Sequence, residues 1–131
     1  MRLFSLTILT IIFASLFLTA CASSNTKAGP AKAVEDYLNA LVAKDQNRLS
    51  SLSCKNWEDQ ALLELDSFQA VTTKLDGMAC QQTGTDGSTA LVLCKGKIVA
   101  TYNNENQELD LSTRTYQVVQ EGGDWLVCGV R

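Results

Sequence analysis

The side chains of this chain best able to do chemistry are its cysteines, a pair of adjacent carboxylates and its tyrosines. The cysteines are Cys21, Cys54, Cys80, Cys94 and Cys128. No two lie close enough to form a zinc-ligand pair, and the chain contains no His. Zinc sites built on Cys and His are therefore disfavoured, as is a thiol nucleophile activated by imidazole. Glu35-Asp36 is a carboxylate pair, but neighbours on a helix point apart and do not converge on one proton. Tyr37, Tyr102 and Tyr116 can donate hydrogen bonds to an oxyanion, though amphipathic core positions suit them better. Asp110 either faces a cavity or, as preferred here, solvent. Gly84 and Gly87, like Gly122-Gly123, belong to turns and form no phosphate-binding loop; no EF-hand spacing or nucleophile elbow is present. The sequence thus predicts no catalytic residue, no metal and no cofactor.

The charge pattern excludes another class. Net charge is −3 with the signs interspersed. Nucleic-acid binding needs clustered Lys and Arg to displace counterions, and no such cluster occurs.

The N-terminus reads Met1-Arg2 followed by an uncharged, mainly apolar run to Ala20, the pattern of an export signal. The run ends Leu18-Thr19-Ala20-Cys21, which resembles the bacterial lipobox. The resemblance implies removal of residues 1–20, diacylglycerol on the Cys21 thiol and acylation of the new N-terminus. Two or three acyl chains anchor stably where one is marginal. Residues 21–29 are then a small, polar, flexible tether, about 16 Å across its eight residues after the cysteine. The expected location is the cell membrane or outer membrane, facing away from the cytoplasm.

Acylation of Cys21 leaves an even number of cysteines in an exported chain, the mark of disulfides. Three pairings are possible. Cys80 and Cys94 flank the turn signal Thr85-Asp86-Gly87-Ser88. A hairpin centred on Gly87 sets Cys80 opposite Cys94 and leaves Cys54 for Cys128.

Elements to position these residues are legible in the periodicity. Pro30 opens a helix whose Val34, Tyr37, Leu38, Leu41 and Val42 share one face. Lys44-Asp45 ends it, and Asp45 caps a short second helix carrying Leu49 and Leu52. A third, with Asn56 as cap, carries Trp57, Ala61, Leu65 and Phe68 to about residue 71. Four β-rich runs follow, at 74–83, 88–102, 107–120 and 124–130. Asp86-Gly87, Asn103-Asn104 and Gly122-Gly123 separate them as hairpin turns. Cys128 is expected to face the helices to reach Cys54. Strand alternation would then make Leu126 and Val130 the core residues of the last strand, with Trp125 on the other face unless a bulge intervenes. Residues 30–131 are thus expected to form one α+β domain, its helices packed on a curved antiparallel sheet of about four strands.

The opening helix Ala33-Val34-Glu35-Asp36-Tyr37-Leu38, the break Ala43-Lys44-Asp45 and the closing hairpin from Tyr116 to Val127 resemble the nuclear-transport-factor-2-like superfamily. That superfamily includes ketosteroid-isomerase-like, cystatin-like and polyketide-cyclase-like proteins. The resemblance implies a cone with a cavity at its wide end. Tyr37, Trp57, Phe68, Tyr102 and Tyr116 are candidates to line it, although a core role is the simpler reading. The expected function is a membrane-tethered, non-catalytic binding or interaction module of the cell envelope, taking an envelope protein or a small apolar ligand. An accessory subunit of an envelope assembly and an acid–base enzyme in the cavity are the alternatives.

Overall fold

The computed structural model describes residues 28–131. The expected export signal, Cys21 and most of the expected tether lie outside the described residues. Three helices come first: α1 (Pro30–Val42), α2 (Gln46–Ser51) and α3 (Lys55–Ser67). Five strands follow: β1 (Thr72–Asp86), β2 (Thr89–Tyr102), β3 (Glu105–Asp110), β4 (Thr115–Glu121) and β5 (Asp124–Val130). Among the described residues, no helix is long and apolar enough to cross a membrane.

Pro30 occupies the first turn of α1, where its missing N–H costs nothing. Lys44, in the left-handed region with φ 57°, turns the chain out of α1. Asp45 then caps α2 by accepting from Arg48 N at 3.0 Å. The third helix departs from expectation. Cys54, not Asn56, holds the N-cap position, and the helix stops at Ser67 with Phe68 as C-cap. Cys54 is fixed in an extended conformation by its bonds to β5, so the helix can begin directly after it.

The third β-rich run is two strands. A 3-10 turn at Leu111–Thr113, capped by Asp110, separates β3 from β4. Both pair antiparallel with β2, β4 along residues 90–93 and β3 along 97–102. β1 pairs with the other side of β2, and β5 with β4.

Three bulges set register and curvature. The first hairpin turns on Gly87-Ser88, because Asp86 faces Thr89. A regular ladder from that turn would set Cys80 against Lys95. An extra residue between Gln82 and Gly84 restores the pairing, and Cys80 faces Cys94 with Cα atoms 4.0 Å apart. In the second bulge, Gly77 and Met78 oppose Gly96 alone. Gly96 has φ +88°, and a Cβ there would lie 2.5 Å from the Asp76 carbonyl oxygen. Only glycine permits that approach. Such bulges bend the strand that carries them, and the sheet curves around the helices.

The third bulge, at Cys128, corrects the expected faces of β5. Val118 pairs with Val127 but Gln117 pairs with Gly129, leaving Cys128 extra. Val127 is the fully buried apolar side chain of this strand; Trp125 and Val130 pack partly against the core, and Leu126 is half-buried on the other face. The expectation failed because Cys54 does not come over the sheet. It comes alongside the edge of β5: Cys54 N–H donates to the Val127 carbonyl at 2.9 Å, and Val127 N–H to the Leu52 carbonyl at 2.9 Å. The Cys54–Cys128 disulfide closes this seam, with Cα atoms 5.1 Å apart.

The core lies between α1 and the concave face of the sheet. Val34, Tyr37, Leu38 and Leu41 of α1 meet Val92, Ile98, Tyr116, Val118 and Val127, all fully buried.

Candidate binding cavity

The C-terminal end of α3 stands over the half of β2 that pairs with β3. Between them is a cavity of about 270 Å³. Its apolar lining is Phe68, Ile98, Ala100 and Leu109; its polar lining includes Glu64 and Arg114. A second recess of about 350 Å³ opens on the other side of Glu64 and Arg114, beside Trp57 and Val130. These two residues form the wall between the recesses and are bonded to each other in a half-buried ion pair.

Behind that wall are two phenols. Tyr37 and Tyr116 are fully buried, their rings edge to face with centroids 6.4 Å apart. Trp57 Nε1–H donates to the Tyr37 hydroxyl at 3.2 Å. The Tyr116 hydroxyl is buried without a hydrogen-bond partner among the described residues. Burial raises the Tyr37 phenol well above its ordinary range, only partly opposed by the bond from Trp57. Burial also pushes Tyr116 up to about 12, against the pull of the Arg114 cation beside it. Burial works against the charge of Arg114, but the bond to Glu64, the charge of that carboxylate and the neighbouring Tyr116 together more than offset it. Both phenols are therefore neutral proton donors at neutral pH.

The sequence candidates are dispersed. Phe68 lines the cavity and Trp57 the adjoining recess. Tyr37 and Tyr116 are core residues behind the wall. Tyr102 stands exposed on the β2–β3 hairpin, beside a recess it lines with Val71 and Glu105. Asp110 faces solvent; bonds from the Ser112 hydroxyl and N–H hold its carboxyl below the usual range. Glu35 and Asp36 diverge: Glu35 accepts from Cys80 N–H at 3.1 Å, and Asp36 pairs with Lys32 and Arg48. Among the described residues, no group of His, Cys, Asp or Glu side chains converges as metal ligands would.

Glu64 and Arg114 escaped the sequence reading. One signal was available for Arg114: it stands two residues before Tyr116, and alternation puts both on one side of an extended chain. Its partner, fifty positions away, carried none.

No protein-family model matches the chain, and no curated protein matches its sequence. Several solved structures are similar. One is a SEC-C motif containing protein from Rhodopseudomonas palustris, at 12% identity and TM-score 0.53, over 78% of this chain and 77% of that one. Another is Aln2 from a Streptomyces species, at 10% identity and TM-score 0.49, over 73% and 80%. A third is a nuclear-transport-factor-2-like protein of unknown function from Cytophaga hutchinsonii, at 9% identity and TM-score 0.43, over 82% and 92%. Likeness at these identities concerns the fold alone. The chain is an α+β cone: three helices, then a bent antiparallel sheet of five strands with an open cavity at one end.

Proposed function

We propose that the protein is a membrane-tethered, non-catalytic binding module of the bacterial cell envelope. Lipid on Cys21 anchors it, and the cavity between α3 and the β2–β3 ribbon takes a small, uncharged, mainly apolar molecule. One observation carries the choice of ligand: the charges at this cavity are already matched. Glu64 is bonded to Arg114, and Glu108 to Lys97 at 2.8 Å. A charged ligand would have to break one of these pairs and leave its partner exposed to an apolar wall. A neutral molecule against Phe68, Ile98, Ala100 and Leu109 disturbs neither.

The same pairing disfavours acid–base catalysis. An Arg114 N–H is bonded to Glu64 Oε1, which ties up the carboxylate a general base would need free, and the phenols are held neutral.

The test is native mass spectrometry of the full mature chain extracted from membranes. A neutral adduct on the wild type, lost in a folded Ala100→Phe variant that fills the cavity, is the expected result. Wild type and variant alike free of adduct, and alike unmoved in melting temperature by small apolar compounds, would sink the ligand reading. An intact mass that does not begin at an acylated Cys21 would sink the tether.

A further inference from the structure

The chain does not leave the domain from a bare surface. Ala28, the first described residue, lines a groove of about 410 Å³ together with Leu52, Trp125, Leu126, Asp36 and Asp124. Its walls are the start of α1, the end of α2 and the β4–β5 hairpin. Trp125, Leu126 and Leu52 are each only half-buried. One indole and two aliphatic side chains thus stand incompletely covered at the root of the tether.

We infer that this face is a lipid-seating surface, pressed into the headgroup region of a zwitterionic bilayer. The inference rests on the tether proposed above. Six residues, and hence seven Cα–Cα steps, separate Cys21 from Ala28. They span at most about 25 Å when extended and about 15 Å as a flexible coil. With the acyl chains in the bilayer, the surroundings of Ala28 are the part of the domain that meets headgroups first. Tryptophan suits that boundary, with an apolar ring and a polar N–H. The two charged residues lining the groove are carboxylates in different states: Asp124 stands exposed, while Asp36 is paired with the cations Lys32 and Arg48 just outside it. That set of charges complements a headgroup bearing both signs, whereas a strongly anionic surface would repel Asp124. Seating also sets orientation. Val118, near the β4–β5 hairpin, pairs with Ala90 at the start of β2, while the cavity uses Ala100 near its end. The cavity is therefore carried away from the bilayer.

The chain's own tryptophans, Trp57 and Trp125, make the test. Acylated full-length mature protein is reconstituted in phosphatidylcholine vesicles, with and without bromine on the lipid chains. In the Trp57→Phe variant, Trp125 emission should be quenched several-fold by the brominated lipid. In Trp125→Phe, Trp57 emission should be unaffected. If Trp57→Phe does not fold, the wild-type signal minus that of Trp125→Phe gives the same quantity. Leu126→Asp should abolish the quenching while the acyl mass is retained. Equal quenching of both tryptophans, or of neither, in a chain of full acylated mass overturns the seating and leaves the tether standing. A mass without acyl groups overturns both.

Discussion

Tyr37 and Tyr116 bury two phenols side by side, yet among the described residues only the Tyr37 hydroxyl has a well-formed hydrogen bond, from Trp57, while Tyr116 has the Arg114 guanidinium beside it. Removing each hydroxyl should therefore have opposite effects. Tyr37→Phe strands the Trp57 N–H and is expected to cost about 1 kcal/mol in a urea melt. Tyr116→Phe removes an unpaired buried donor and should cost nothing, or stabilise by up to about 1 kcal/mol. An equal loss in both would show that Tyr116 is bonded after all. The phenols also fix the alkaline limit. Burial raises both above their unfolded value, to about 12 for Tyr116. Their contribution is fully present below about pH 10, where the unfolded tyrosines are also neutral, and is lost as pH rises through the folded values. Stability should thus fall from about pH 10 upward, and fall less steeply in the Tyr37→Phe, Tyr116→Phe double variant. Thermal melts across that range decide it.

The strands owe their register to bulges, and these separate what was legible in the sequence from what was not. The turn signal Asp86-Gly87 was plain, and so was the closeness of Cys80 to Cys94. The turn itself is one step removed from the expected centre, and the extra residue between Gln82 and Gly84 cancels that step. Composition carries no mark of such a compensation, because an unpaired residue in a bulge can be of almost any type. Deleting Thr83 should therefore remove the bulge and leave Cys80 opposite Cys94 in a regular ladder. Non-reducing peptide maps should then still show the Cys80–Cys94 link; its loss would contradict the bulge. The Cys128 bulge misled in the same way: strict alternation pointed to Leu126, and the structure buries Val127. Leu126→Ala should accordingly be the milder change, under about 1 kcal/mol, and Val127→Ala the worse at about 1–3 kcal/mol. The reverse order in urea melts would contradict the bulge. The helices read better, since an apolar stripe at helical spacing is a local pattern. The Glu64–Arg114 wall did not read at all, because it exists only once α3 lies beside the start of β4.

In the whole molecule, Cys54–Cys128 joins the helical half to the last strand across 74 residues, and Cys80–Cys94 joins one hairpin across 14. In the chain-entropy account the long link contributes about 4.5 kcal/mol and the short one about 3. A Cys54→Ser, Cys128→Ser chain should therefore melt well below a Cys80→Ser, Cys94→Ser chain; a reversed order would place the main staple in the hairpin. The seam that Cys54 closes matters in a further respect. β5 is a terminal strand of the sheet, and its outer backbone is engaged at Val127 by the segment from Leu52 to Cys54. At the opposite border, Glu35 takes the Cys80 N–H of β1. Chains anchored in a bilayer meet one another in two dimensions, at local concentrations far above those in solution. A sheet with bare borders would grow there by adding strands from its neighbours. Here a strand added to β5 would meet Val127 already engaged, and one added to β1 would meet Glu35 on Cys80, so on the membrane proposed above both positions oppose growth of the sheet.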